Sequence, residues 1–552
     1  MSNIQDTIIT AVTKAVKEVC DYEPEHKLVM VETPRDPKMG DYSTNIAMRL
    51  AKIVRKKPAD IAASLVPVIA RELPEAASVT VAGPGFINFK MKESALSDCI
   101  NHILDAGDSW GKTAAGNGEK VLVEFVSANP TGDLHCGHAR GAAWGDALCR
   151  VLSAAGYDVL REYYVNDAGH QIDMLAESML SRYFAVFGKD YPLPEDGYHG
   201  ADIIEVAKQI AESDGDKWLD ADPEARMNYF KDKGIEMKLD QIRKDLALFR
   251  VSFDYWIHER YFYEDNAKRI NDVLKVMEDK DLTYEKDDAL WFKSSEYGDD
   301  KDRVLRKSTG LLTYLTPDIA NHVYKYERGY TKLIDLWGAD HHSYVIRMKC
   351  ALQALGYDPD SLVVDLIQMV RMVSNGEEVK MSKRTGNAIT IRELCEDVGV
   401  DAARWFFVSK EAGTHMDFDM DLARQKTNDN PVYYAQYAYT RMFNILARED
   451  VKEFVKEDAY PLLTEEKELA ILKQLTEYPD VVAEAAAHRS PNRICTFCQQ
   501  LAKNFHSYYN SCRVNDPSNP ELTNQRLGLI TAAMITMKNA LDLIGVSAPE
   551  KM

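Results

Sequence analysis

Nowhere in this 552-residue sequence do about 18 apolar residues follow one another, so no segment reads as a membrane-crossing helix. The N-terminal stretch lacks the continuous apolar core and small-residue cleavage site of a secretory signal. Its apolar residues (Ile4, Ile8, Val12, Val16, Val19) fall instead at helical spacing. Nine cysteines are scattered without dense spacing, which argues against a disulfide scaffold and fits reduced thiols in a cytoplasm. Internal repeats and low-complexity tracts are missing as well. So is any basic excess: 67 Lys and Arg stand against 87 Asp and Glu, a formal net charge of −20 and the reverse of what nucleic-acid binders usually show. That total is a weak guide, because a ligand meets only the local field.

What is present is the composition of a folded protein, 45% hydrophobic and 28% charged, in a chain too long for one core. At roughly 150 residues each, three or so domains are expected. Residues 1–115 read as a small α+β unit. It has a first helix, a strand over residues 26–34, helices from about Ser43 to Ile53 and up to Leu73, and strands within "VTVAGPGFINFKM". The small, polar "GKTAAGNGEK" that follows has a linker composition. Residues 116–421 alternate strands ("VLVEFV", "YDVLREYYVND", "TKLIDLWGAD", "LVVDLIQMVRM") with helices, one of them from about His138 to Ala155 and closed by Gly156. That alternation predicts a doubly wound parallel sheet. The charged interval at about 170–300 reads as a helical insertion. Residues 422–552 carry only long helical patterns and read as an all-α bundle.

Directly behind "VLVEFV" stands "SANPTGDLHCGHARG", with His135 and His138 close to Pro130, Gly132 and Gly137. A strand, a tight loop and a helix start present backbone N–H groups to an anion. The loop is neither G-x-G-x-x-G nor G-x-x-x-x-G-K-[ST], which argues against a dinucleotide site or an ordinary P-loop. Histidines at i, i+3 suit half a metal site, a pair of donors to phosphate, or two structural side chains; a metal needs further ligands, and none is close in the sequence. Much later, behind "LVVDLIQMVRM", the stretch "VKMSKRTGNA" gathers Lys380, Lys383 and Arg384 around Met381 and Ser382 in a cationic loop.

H-x-G-H after the first strand of such a sheet, with K-M-S-K after a late one, resembles the two signature motifs of class I aminoacyl-tRNA synthetases. Longer stretches are similar to those of the arginyl-tRNA synthetase family: "VEFVSANPTGDLHCGHARGA", "GLLTYLTPDIA", "DLWGADHHSYVIRM", "VKMSKRTGNAITI", "NPVYYAQYAYTRM" and "LIGVSAPEKM". The resemblance runs from about residue 20 to the last residue. It implies a Rossmann-like catalytic domain over 116–421, an N-terminal domain over 1–115 that holds the tRNA elbow, and an anticodon-binding bundle over 422–552. It also implies a reaction: the arginine carboxylate joins the α-phosphate of ATP, pyrophosphate leaves, and the arginyl group passes to the 3′ end of tRNA(Arg). The first step is expected only with tRNA present.

The resemblance further implies roles for residues. Displacement at phosphorus by an ionised carboxylate needs no side-chain nucleophile, so catalysis rests on positioning and charge stabilisation. His135 and His138 then donate to the phosphates as neutral or cationic groups. Lys380, Lys383 (the most important of the three) and Arg384 close on the pyrophosphate with Mg²⁺. Pro130, Gly132, Gly137, His138, Met372, Val373, Met381 and Ser382 frame the nucleotide, Gly137 letting the adenine ring approach the backbone. The guanidinium of arginine wants a carboxylate in fork geometry, for which Asp318 is the candidate beside Tyr314. Glu124, Ser127 and Asn129 take the α-amino and carboxylate ends, and Asp340, His341 and His342 line the same pocket. As purely structural alternatives, Asp318 caps the helix that begins there and Glu124 pairs with Arg140. Tyr434 and Tyr437 are candidates to stack anticodon bases, although tyrosines on a helix are by default packing residues. Cys495-x-x-Cys498, with His506 and Cys512, has part of a zinc set, but it lies on an apolar helix face and reads as core. No protein-bound zinc and no editing domain are expected, and a monomer is the family habit.

Overall fold

The computed structural model describes residues 4–25, 28–34, 36–379, 388–449 and 453–552. At the N-terminus the helix Ile4–Cys20 buries Ile8, Val12 and Val16 and packs on the helix Pro58–Glu72. A four-stranded antiparallel sheet runs Val31–Glu32, Tyr42–Thr44, Phe86–Met91, Ala76–Ala82. The strand expected over 26–34 is thus confined to two residues among those described. The helix expected from Ser43 begins at Ile46, because Tyr42–Thr44 pairs with Ile87–Phe89 instead.

Five parallel strands form the central sheet: β1 (Lys120–Glu124), β2 (Asp158–Val165), β3 (Tyr255–His258), β4 (Lys332–Gly338) and β5 (Leu362–Ile367), in the order β5-β4-β1-β2-β3. The expected doubly wound parallel sheet is therefore present. The winding reverses between β1 and β4, and ligands of such sheets sit beyond the strand ends at that point. Helix α1 (Cys136–Ala154) leads from β1 to β2.

The interval expected as one helical insertion divides. Helices α2 (His170–Val186), α3 (Ala201–Asp214) and α4 (Pro223–Leu248) do form a bundle, with a core of Leu175, Met179, Tyr183, Ile203 and Phe230. Residues 255–258, however, return to the main sheet as β3, where Trp256 stacks on Tyr163 of β2 at 4.3 Å. Residues 283–306 then build a small antiparallel sheet. The run "LVVDLIQMVRM" also divides. After β5, the Gln368 N–H turns aside to the carbonyl of Ala412 (3.0 Å), and Val370–Ser374, with Met372 and Val373, joins a separate sheet beside Met416–Asp419. Helix α5 (Leu315–Glu327) lies ahead of β4 in the chain.

The C-terminal region is helical, with Pro431–Leu446, Glu466–Ala487, Asn492–Tyr509 and Pro520–Leu543 packed on one another. Two of these helices open with Asn then Pro: Asn430 and Asn519 accept backbone N–H bonds, and proline sits where no N–H is needed. Cys495 and Cys498 are buried in the bundle core, as their place on an apolar face implies.

Candidate active site

β1 ends in an acid. Glu124 is buried, and beyond it Val126 (φ +67°) and Ser127 (φ +40°) take left-handed backbone, an uncommon state for a β-branched residue. The neighbouring strand holds this turn. Ser127 Oγ donates to Glu124 Oε1 (3.0 Å) and accepts the Tyr164 N–H (3.1 Å), while the Tyr163 hydroxyl donates to the carbonyl of Ala128 (2.8 Å). Asn129 is exposed and donates to Gln171 of α2 at 2.9 Å; Pro130 is buried.

The two histidines start α1. His135 is its N-cap: Nδ1 accepts the Gly137 N–H (3.1 Å), and its own N–H donates to His138 Nδ1 (3.2 Å). The rings lie 4.0 Å apart. Burial lowers the pKa of both, and His138, with His135 beside it, falls to about 4. Both are therefore neutral near pH 7. Because each Nδ1 accepts, each proton sits on Nε2, leaving one Nε2–H donor per ring. A Cβ at Gly137 would lie 2.8 Å from Cε1 of His135, so this glycine is required by the capping ring itself. The loop is also clipped from outside: Cys136 N–H bonds Ile389 O and Ile391 N–H bonds Leu134 O, both at 2.9 Å.

Beyond Glu124 the strand ends are strongly acidic. Asp335 of β4, Glu124 and Glu162 of β2 stand side by side in register on adjacent strands, all buried. Such a row needs cations. Fully buried Lys325 of α5 supplies one, with Nζ 2.6 Å from Glu124, 3.1 Å from Asp335 and 3.9 Å from Glu162. Arg328 pairs with Glu162, and His322 Nε2 lies 2.9 Å from Asp335. Burial alone would push Asp335 up; Lys325 and His322 outweigh it and hold Asp335 down. The partner of Glu124 is thus Lys325, not Arg140, whose guanidinium donates to the carbonyls of Gln368, Glu411 and Thr414.

Two further carboxyls form no ion pair with Lys or Arg among the described residues. Asp318, one turn into α5, accepts the Tyr344 hydroxyl at 2.8 Å; the helix starts at Leu315 and Asp318 does not cap it. Glu259, at the end of β3, is 5% exposed. Burial and then the charge of Asp318 raise Glu259 to about 7, and burial likewise raises Asp318. Tyr164, Tyr263 and Tyr344 surround the pair, and Tyr314 stands exposed at the helix start. The site is therefore polarised: Glu124 pairs directly with Lys325, whereas burial outweighs the charges of His322 and Lys325 at Asp318 and leaves Glu259 a weak acid.

Among the remaining candidates, Asp340 and His341 occupy an exposed turn after β4, 3.6 Å from each other and outside the buried acid cluster, and His342 opens the next helix. Met372 is buried in its small sheet. Lys380, Met381, Ser382, Lys383 and Arg384 lie outside the described residues. In the bundle, Tyr434 and Tyr437 are half-buried against His506 (centroids 4.8 and 5.7 Å), and Arg441 covers Tyr509 at 4.0 Å. Sequence reasoning missed Glu259, Lys325 and the carboxylate row. A signal existed for the row, since acids inside runs such as "VLVE" and "LIDLW" demand buried partners.

Three family descriptions match the chain: "Arginyl tRNA synthetase N terminal domain" over residues 4–91, "tRNA synthetases class I (R), catalytic domain" over 99–426 and "DALR anticodon binding domain" over 435–552. The arginine–tRNA ligase of Geobacillus kaustophilus is 53% identical over 528 residues, covering 95% of this chain and 94% of that one. That of Geobacillus thermodenitrificans is 51% identical, covering 100% of this chain and 98% of the relative. The solved arginyl-tRNA synthetase of Thermus thermophilus shares the fold, with a TM-score of 0.75 at 22% identity over 99% of this chain and 100% of that one.

Proposed function

The chain belongs to the arginyl-tRNA synthetase family, activating arginine with ATP and charging tRNA, and from that premise we propose how its residues divide the work. Arginine lies with its guanidinium between Asp318 and Glu259 and its α-amino end toward Glu124, Ser127 and Asn129. The observation that carries this reading is the two carboxyls weakened in acidity by burial, Glu259 further by the charge of Asp318, neither of them in an ion pair with Lys or Arg among the described residues. A planar, permanently charged fork fits two carboxylates; a lysine ammonium leaves acceptors unpaired and is rejected.

ATP lies across the start of α1, framed by Pro130, Gly132 and Gly137 and, from the other side, by Met372, Val373, Met381 and Ser382. His135 and His138 offer their Nε2–H groups to the α-phosphate as negative charge develops there. Lys380, Lys383 and Arg384 take the departing pyrophosphate. Mg²⁺ is assigned to the nucleotide: no three His, Cys, Asp or Glu side chains gather into a ligand set among the described residues, and phosphate oxygens and water suit this ion. Tyr314, Asp340 and His341 act at the rim.

Tyr434 and Tyr437, with His506 and Arg441, form an aromatic and cationic platform suited to unstacked anticodon bases. We assign the tRNA elbow to residues 1–115, the chemistry to 116–421 and the anticodon to 422–552, in a cytoplasmic monomer that activates arginine only with tRNA bound. Asp318→Asn tests the pocket. In ATP–pyrophosphate exchange it should raise the KM for arginine about 30-fold or more with the KM for ATP unchanged. Unaltered arginine kinetics would remove Asp318 from its role.

A further inference from the structure

Helix α4 belongs to the inserted bundle yet also reaches the catalytic core. Its buried stripe is apolar (Ile235, Leu239, Ile242, Leu246) except for two charged residues, Lys238 and Asp245, seven positions apart on the same face and each 2% exposed. A charge in such a stripe is tolerated only with a partner, and the two find theirs on different sides of the ATP site. Lys238 Nζ bonds Asp202 within the insertion and lies 3.6 Å from Asp133 Oδ1, two residues before His135. Asp245 accepts from Arg392 at 2.8 Å, on the helix Ile391–Val398, whose first residue is itself bonded to the H-x-G-H loop at Leu134. Nearer the other end of α4, Asp232 takes Arg260 at 2.9 Å, and Arg260 also holds Asp167 at 2.9 Å, next to Glu259. Besides its apolar packing on the core, one helix of the insertion therefore reaches three walls of the site through ion pairs.

The loop is clipped by backbone bonds at Leu134 and Cys136, and the stretch just ahead of them is open. A Cβ added at Gly132 would meet nothing within 4 Å, and the Asp133 side chain is 31% exposed. We propose that Lys238 is a positioning residue for adenylate formation, fixing through Asp133 the loop that carries His135 and His138 and so tying the inserted bundle to the ATP clamp. The proposal rests on the reading of these histidines as phosphate donors. Lys238 touches no substrate; it sets where the two Nε2–H donors stand, and displacements of about 1 Å in such donors cost up to roughly a hundredfold in rate.

The test uses the full-length enzyme with tRNA, arginine and ATP, measuring pyrophosphate exchange and thermal unfolding for Lys238→Met, Asp133→Asn, the double variant, Lys238→Arg and Asp202→Asn. Lys238→Met and Asp133→Asn should each lower kcat about tenfold to a hundredfold while the KM for arginine stays within about twofold. The double variant should be no worse than the poorer single one, because both remove the same link. Lys238→Arg should recover much of the rate. Asp202→Asn, which removes only the partner inside the insertion, should keep kcat even where unfolding comes earlier. Full kcat in Lys238→Met, additive losses in the double variant, or an equal loss in Asp202→Asn would overturn the proposal. His138→Asn is the reference: if it keeps full exchange, the phosphate-donor reading falls and the strut with it, whereas a loss there beside an active Lys238→Met removes the strut alone.

Discussion

At the scale of single residues, Glu259 has the most distinctive chemistry. Its carboxyl is raised to about 7, so below that pH it is protonated, yet it pairs with a guanidinium only when ionised. In the proposed pose, binding arginine then expels a proton. The KM for arginine should rise as pH falls from about 7 toward 5.5, by up to about tenfold per unit. His138, lowered to about 4, contributes nothing in that window. Glu259→Gln should flatten the profile; a slope that survives the substitution assigns the titration elsewhere. Glu124, Asp318 and the two histidines were legible because they sit inside stretches with a recognisable pattern. Glu259 was not. It follows a short aromatic strand in a charged interval, and only the fold brings it toward Asp318, 59 residues further on. Lys325 is likewise an unremarked lysine in the sequence until α5 turns it onto three strands at once.

Among elements, α1 shows how closely local structure and chemistry are joined. Its cap is made of the same imidazoles that we assign as donors to phosphate, so what secures the helix start also sets ring orientation. Gly137→Ala forces the His135 ring from its place, since the new methyl would stand 2.8 Å from Cε1. Loss of the cap costs about 1 kcal/mol of stability, but exchange activity should fall about tenfold or more because both rings move. Activity measured beside the unfolding midpoint separates the two; a normal rate in this variant would mean the ring is held by something other than its cap. Sequence periodicity read long helices and apolar strands well, α1 and β1 among them. It failed where tertiary pairing overrides local preference. β3 is four residues long and was absorbed into a helical interval, and "LVVDLIQMVRM" looks continuous until the Gln368 backbone is captured from outside the strand.

For the molecule as a whole, arginines bridge the joint between the α/β region and the helical bundle within a shared apolar core. Arg404, fully buried, donates to Ile544 O (3.1 Å), Phe249 O (2.9 Å) and Asp146 Oδ2 (2.5 Å), and Asp146 is shared with Arg150 and Arg161. Asp401 accepts from Arg250 (2.5 Å), Gln436 (2.9 Å) and the Ser547 N–H (2.9 Å). Burial pulls Arg404 down in basicity and Asp146 resists it, so the guanidinium stays charged at neutral pH. Arg404→Leu leaves two carbonyls and part of a buried carboxylate unpaired, a loss of about 3–5 kcal/mol. Thermal or denaturant unfolding should then begin earlier and split into separate catalytic and bundle transitions. A single transition at the original midpoint would show that the joint is held by apolar contacts alone.

The same joint bears on the order in which the chain assembles. Arg404 and Arg250 find their carbonyl acceptors at residues 544 and 545, separated from them by 140 and 295 positions. During synthesis the whole α/β half is extruded while these acceptors do not yet exist, and contacts of such sequence separation form late. Domains commonly fold one by one from the N-terminus, but here the earlier half holds guanidinium groups that pair early with Asp146, Phe249 O and Asp401 and gain their last acceptors only after the final helix. The segment that follows the bundle therefore acts as a latch, adding the carbonyls of Ile544 and Gly545 to a network the α/β half has already begun.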